Sequence, residues 1–321
     1  MAQHFLLSAT ARTLSLKAIY RMGEEKSHEA FCKMRWPETN GAPICPCCGC
    51  AAAYNITTRR RFKCKACHNQ YSVTSGTILA SRKMSFTDLL AAICICVNAA
   101  KGLSMLQLSR DLNCQYKTVF VLVQKLREAL ASEVAGKRLS GDVEIDGAHF
   151  GGHIRPENLV ENRKDRRLSK HKTGKSRVVV VMRERKGRTL PFVVRHEYDG
   201  AAIIPEIVST GTRIYADEAT HWDPLHGKFK TYRINHSEGY SIDGANTNQA
   251  ESYFSRLRRM VSGQHHHVSS QYLHCYALEA AWKEDHRRED NATLAGRMLD
   301  LAMAHPVSRN WKGYWQRAIC A

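Results

Sequence analysis

Two short cysteine knuckles, Cys45-Pro-Cys-Cys48 and Cys64-Lys-Ala-Cys67, constrain this chain more than any other feature. Each C-x-x-C can aim two thiolates at one point, and two knuckles separated by 15 residues complete a tetrahedral four-sulfur site for zinc. Such a site leaves no open position, so the implied Zn2+ is structural. Cys47 and Cys50 are surplus, and a shifted first pair made of those two is the alternative. The Cys45/Cys48 pairing is preferred because Gly49 then follows the second ligand, where positive φ is usual. Cys32, Cys94, Cys96, Cys114, Cys275 and Cys320 are isolated or lie on apolar faces and read as small buried residues.

A metal reading suits a reducing compartment. Phe5-Leu6-Leu7 is too short for a signal segment and no Lys or Arg precedes it, so the cytoplasm is the default location. The longest apolar stretch, Leu89 to Val97, is about half the roughly 20 residues a spanning helix needs, which argues against a membrane protein. With 48 Lys+Arg against 30 Asp+Glu, the net charge of +18 favours a polyanionic partner. The charge is localised. Residues 39–87 hold seven cations and no acid, and residues 153–188 hold 13 Lys+Arg against 4 Asp+Glu.

Periodicity divides the chain. Ser15 to Tyr20 and His28 to Met34 read as short helices ending before Pro37. Phe86, Leu89, Leu90, Ile93 and Val97 recur at helical spacing behind Ser85, which with Asp88 forms an N-terminal capping box. After Gly102 come a short helix through Leu112, a turn at Asn113-Cys114 and a third helix with Val119, Leu122, Val123 and Leu126. This resembles a helix-turn-helix, whose last helix would present Gln115, Tyr116, Lys117, Thr118 and Gln124 to a DNA groove. Beyond Gly141 the pattern turns to strands: 143–146, 177–183, 190–196 and 213–217, with a helix over 201–209. Helices follow over 250–261 and 270–287, giving an α/β domain.

Three acids stand out by position. Asp146 and Asp217 end strands and Glu251 opens a helix, with Arg258 two turns along on the same face. Acids so placed can meet and bind hard divalent cations through oxygen, and a two-metal site suits phosphodiester chemistry. Glu144, Glu218, Asp223 and Asp243 are nearby competitors.

The strings Arg35-Trp-Pro, CPCCG, RRRFKCKAC and YSVTSGTI resemble the zinc ribbon of bacterial insertion-sequence transposases of the ISXO-like group in the DDE superfamily. VEIDGAHFGG, ADEATHWDPL, NTNQAESYFSRLRR and GQHHHVSSQYLHCYALEAAWKEDHRR resemble its catalytic domain in order, and the match runs over roughly residues 31 to 318, through Gly313-Tyr-Trp-Gln-Arg.

The resemblance implies an RNase H-like catalytic domain, a mixed sheet with flanking helices, preceded by a zinc ribbon and a helix-turn-helix segment. The implied layout is an N-terminal helical segment over 1–40, the ribbon over 41–83 and DNA-binding helices over 84–135. A catalytic domain follows over 141–290 with a basic insertion at 153–176, then a helical tail over 291–321. Carried over, the catalytic triad is Asp146, Asp217 and Glu251, holding two Mg2+ or Mn2+ ions. Asn248 is a candidate to share the role of Glu251, since the third position is Asn in some relatives. Many relatives carry an acid directly after the first Asp, where this chain has Gly147. The expected DNA contacts are Arg59, Arg60, Arg61, Lys63, Gln115, Lys117, Thr118, Arg258 and Arg259. His265-His-His267 matches a family string and is a weaker metal candidate. Asn235-His236 matches a loop expected near the acids. The expected partners are double-stranded DNA, as transposon ends and target, and further copies of the chain on that DNA, within a bacterial nucleoid. The alternative is a domesticated or inactive relative that binds DNA as a zinc-ribbon/helix-turn-helix regulator.

Overall fold

The computed structural model describes residues 5–152, 156–165, 168, 174–185, 187–234 and 246–314. Asn235-His236, Asp243, Cys320 and much of the basic insertion lie outside them. The chain forms two compact units, one of residues 1–133 with 286–321 and one of residues 134–285.

The first unit is helical around a small sheet. Helix α1, Leu16–Arg35, is broken at Gly23 (φ 77°, ψ 174°), so the two short helices expected from the sequence are longer and meet at that glycine. Strands β1 (Ala53–Ile56), β2 (Arg61–Cys64) and β3 (Gln70–Tyr71) form an antiparallel sheet that carries the second knuckle at the end of β2. Helix α2, Phe86–Asn98, starts on the expected box: Ser85 Oγ accepts the Asp88 N–H at 3.0 Å and donates to the Asp88 carboxylate at 2.7 Å. Glu24 adds a second cap by accepting the Phe86 and Thr87 N–H groups at 3.1 and 2.9 Å. α2 is buried nearly all round, as its apolar composition requires. Helices α3 (Met105–Asp111) and α4 (Tyr116–Val134) are joined by a turn in which Asn113 is left-handed (φ 45°). A later helix, α8 (Asn291–Ala304), packs against α1 and α2 as part of this unit rather than as a tail.

The second unit is built on a five-stranded mixed sheet. Its strands are β4 (Asp142–Phe150), β5 (Arg177–Glu184), β6 (Thr189–Val194), β7 (Arg213–Asp217) and β8 (Lys230–Ile234). They are ordered β6-β5-β4-β7-β8, with β4–β5 and β5–β6 antiparallel and β4–β7 and β7–β8 parallel. This is the mixed sheet with flanking helices of the RNase H-like arrangement. β5 is a valine run because both its faces are covered: Val178, Val180 and Met182 join one core, Val179 and Val181 the other. The first core takes helix α5 (Tyr198–Ile207) through Ala201 and Ile204. The second takes helices α6 (Asn248–Arg258) and α7 (Leu273–Asp285) through Ala250, Tyr253, Phe254, Leu257, Tyr276 and Ala277. Strand β8 was not legible in the sequence, where lysine and arginine interrupt its alternation.

Candidate active site and nucleic-acid interface

The knuckles converge. Cys45 Sγ lies 3.6 Å from Cys67 Sγ, and Cys48 Sγ lies 3.5 Å from Cys64 Sγ. A four-sulfur zinc tetrahedron with bonds of about 2.3 Å has edges of about 3.8 Å, so the thiols already have the right spacing; a disulfide would need about 2.05 Å. Among the described residues, these four cysteines are the one group of three or more metal-ligating side chains whose ligand atoms all lie within 4.8 Å. The N–H of Cys67, with that of Ala66 and against burial, pulls the Cys64 thiol down to about 6, while the neighbouring thiols hold that of Cys67 up at about 12, so the geometry of the four sulfurs and not their acidity carries the zinc reading. The shifted pairing is not adopted: Cys47 is exposed, and Cys50 Sγ accepts the Ala52 N–H at 3.4 Å. Cys32, Cys94 and Cys96 are buried as expected, while Cys114 and Cys275 are half-buried.

The three acids share one face of the second unit. β4 and β7 run parallel with Asp142 opposite Arg213 and Glu144 opposite Tyr215. Asp146 and Asp217 each lie two residues beyond the last pair of that ladder, Glu144 opposite Tyr215, on the same side of the sheet. Even-numbered residues of β4 face the core that receives α6, whose first turn carries Glu251. Burial first, with the charges of Asp217, Glu197 and Glu251 and against the Gly147 N–H 2.7 Å from Oδ1, pushes the Asp146 carboxyl up to about 7. Asp146 therefore feels both other acids, although the carboxylates are not drawn as tightly together as the thiols.

Glu197 is the acid that sequence reasoning missed. It precedes α5, and its Oε1 lies so close over Gly147 that a Cβ there would be 1.8 Å away. Its carboxylate occupies the space a side chain at 147 would take, 3.8 Å from Nε2 of His221 in the turn after β7. No local pattern marks Glu197; only the fold brings it to Gly147.

The competitors sort themselves. Glu144 is fully buried with both oxygens occupied by Arg185 and the start of α6, so it is not open to a cation. Asp223 pairs with Arg233 at 3.2 Å, and Glu218 is exposed. His265 ends a π-helix, Arg259–His265, with its ring edge-on to Tyr276 at 4.7 Å. The three histidines do not form a tight ligand cluster among the described residues.

Of the expected DNA contacts, Arg59, Arg61, Gln115, Lys117, Arg258 and Arg259 are exposed, and Lys63, Thr118 and Arg60 are half-buried. Arg60 is turned toward Glu24 at 3.8 Å. Gln124 is a correction: it is 0% exposed in the interior of α4, because that position belongs to the buried stripe with Val123 and Leu126. Lys117 instead borders a cavity of about 210 Å3 whose rim also holds Arg82, Lys83 and Lys125 over an apolar floor of Leu79, Leu89 and Leu122.

A mixed α/β unit together with a four-thiol ribbon is the organisation of a zinc-ribbon transposase, and the family comparisons bear this out. Residues 138–285 match the ISXO2-like transposase domain, and residues 22–70 match the transposase zinc-ribbon domain. The chain belongs to the zinc-ribbon insertion-sequence transposases of the ISXO-like group. It is also similar to an uncharacterized protein in transposable element ISH50 of Halobacterium salinarum, 24% identical over 295 residues that cover 88% of this chain and 98% of that one. No solved structure matches the chain. No described helix is long and apolar enough to cross a membrane.

Proposed function

We propose that this transposase grips the terminal inverted repeats of its element and cleaves and joins DNA strands at Asp146, Asp217 and Glu251. What supports the reading is that Asp146, pushed to about 7 first by burial, also feels the charges of Asp217 and Glu251. Carboxylates that act on one another repel, and a hard divalent cation would relieve the repulsion. The donor set, oxygen only, fits Mg2+ or Mn2+. Bound there, two such ions supply the charge stabilisation and the activated oxygen that phosphodiester cleavage needs. Burial and the neighbouring acids disfavour the charged form of Asp146, and a cation held there would favour it. Asn248 and Glu251 share the first turn of α6, where Asn248 is exposed and adds a neutral oxygen donor. Arg258 and Arg259 project from the end of the same helix and suit DNA phosphates. The ribbon over 41–83 and the helices over 84–135 serve end recognition, through Arg59, Arg61, Lys63, Gln115, Lys117 and Thr118, while 141–290 carries the chemistry. Copies of the chain pair on the DNA to hold two ends.

The test is strand joining of an end-sequence duplex with Mg2+ or Mn2+. Asp146→Ala is expected to abolish joining while end binding persists; joining at the wild-type rate refutes the assignment. Wild-type binding without nicking under both metals supports the regulator alternative.

A further inference from the structure

We infer that the buried Glu144 and the half-buried Arg185 form a clamp that positions the three acids, an inference that rests on the triad reading. Glu144 lies two residues before Asp146 on the same face of β4, and Tyr215 lies two before Asp217 on β7. Glu144 Oε2 accepts the N–H groups of Gln249 at 2.8 Å and Ala250 at 3.1 Å. These are among the first N–H groups of α6, which lack partners within the helix, and Thr247 at the N-cap position gives no side-chain cap. The cap of the Glu251 helix thus comes from the strand that carries Asp146, and its negative charge suits a helix N-terminus.

Arg185 closes the arrangement. Its Nε donates to Glu144 Oε1 at 3.0 Å and its terminal nitrogen to the Asn246 carbonyl at 2.9 Å. Its guanidinium carbon lies 3.8 Å from the centre of the Tyr215 ring. Gln249 returns a bond, its side-chain amide donating to the Arg185 carbonyl at 2.7 Å. One ion pair therefore touches the neighbour of every acid: β4 through Glu144, β7 through Tyr215, and α6 through Asn246, Gln249 and Ala250. Only a carboxylate serves at 144. Donors reach it from two sides, and an amide would set its own N–H groups against one of them. Neither residue touches the reacting atoms; both are positioning residues.

The test compares the full-length wild type with Glu144→Gln and with the double variant Glu144→Met/Arg185→Met. Hydrogen exchange at Gln249, Ala250 and Glu251, thermal midpoint, and the Mn2+ concentration for half-maximal nicking of an end duplex are measured. Glu144→Gln is expected to speed exchange at those amides about tenfold or more and to raise the Mn2+ requirement about 10- to 100-fold, the usual cost of losing a group that orients metal ligands. An apolar pair of similar volume commonly restores the stability lost with a buried ion pair. The double variant should regain the midpoint yet keep fast exchange and the raised Mn2+ requirement. The proposal is overturned if Glu144→Gln leaves the three amides as protected as in wild type. It is also overturned if the double variant recovers protection and Mn2+ dependence together with its midpoint, since the pair would then hold only the fold. Glu251→Gln, run in parallel, separates the two claims: unchanged nicking by that variant removes the triad reading, while the exchange result still decides the clamp.

Discussion

Asp146→Asn should stabilise the metal-free protein while abolishing its activity. Asp146 is pushed from the ordinary carboxylate value of 3.8 to about 7, first by burial and then by the charges of Asp217, Glu197 and Glu251. Between those values the folded chain holds a proton that the unfolded chain has lost, so stability falls as pH rises and the full penalty is present above about 7. The displacement corresponds to about 4 kcal/mol at most, and relaxation around the site reduces it. Asparagine keeps the shape and can still accept the Gly147 N–H, but it carries no charge. For the unit of residues 134–285, each kcal/mol moves the midpoint by roughly 2–4 °C, so a gain on the order of 10 °C is expected at pH 8.5. At pH 4 the gain should vanish. Thermal melts of the zinc-loaded protein without added Mg2+ or Mn2+ across this range test it. Adding Mn2+ should raise the wild-type midpoint alone, by the linkage that stabilises any state that binds a ligand. Equal midpoints for the two proteins at every pH would refute the reasoning.

Glu197→Gln removes one of the charges acting on Asp146, so the loss of wild-type stability between pH 5 and 8.5 should shrink in the same melts. Cys64→Ser should empty the zinc site, from one ion per chain to under about one-tenth by colorimetric release, because structural zinc supplies roughly 10 kcal/mol or more of folding free energy. Cys47→Ser and Cys50→Ser should retain full zinc, since neither thiol belongs to the tetrahedral cluster. Lys117→Ala should weaken end binding similarly for all sequences and lower the salt dependence of binding by about 0.9 in log–log slope, one phosphate contact; an unchanged slope removes Lys117 from the interface.

Features written into short stretches of chain were legible in the sequence. The knuckles, the capping box at Ser85 and the strands around Asp146 and Asp217 each depend on neighbours a few residues apart. Strand ends and a helix start are local signals, but they left Glu144, Glu218, Asp223 and Asp243 as competitors, and the family resemblance is what singles out Asp146, Asp217 and Glu251. What the sequence hid depends on tertiary placement. Glu197 sits 50 residues from Gly147 and meets it only because the fold returns there. Glu144 looked like a rival ligand, and only the approach of α6 turns it into a cap. Gln124 looked like a groove contact because α4 was read from its start, yet the helix continues to Val134 with that position inside. The helix of residues 291–304 reads as a tail until its packing on α1 and α2 is seen.

The central claim is that Asp146, Asp217 and Glu251 together hold the divalent cations. Substituting Fe2+ for Mg2+ and adding ascorbate and peroxide generates short-lived radicals that cut the backbone beside the bound ion, and mass spectrometry maps the cuts. The account predicts cuts near residues 146, 217 and 251 in the wild type, all lost in Asp146→Asn and suppressed by excess Mg2+. Cuts elsewhere in the chain, or cuts at these positions that survive Asp146→Asn, would contradict it.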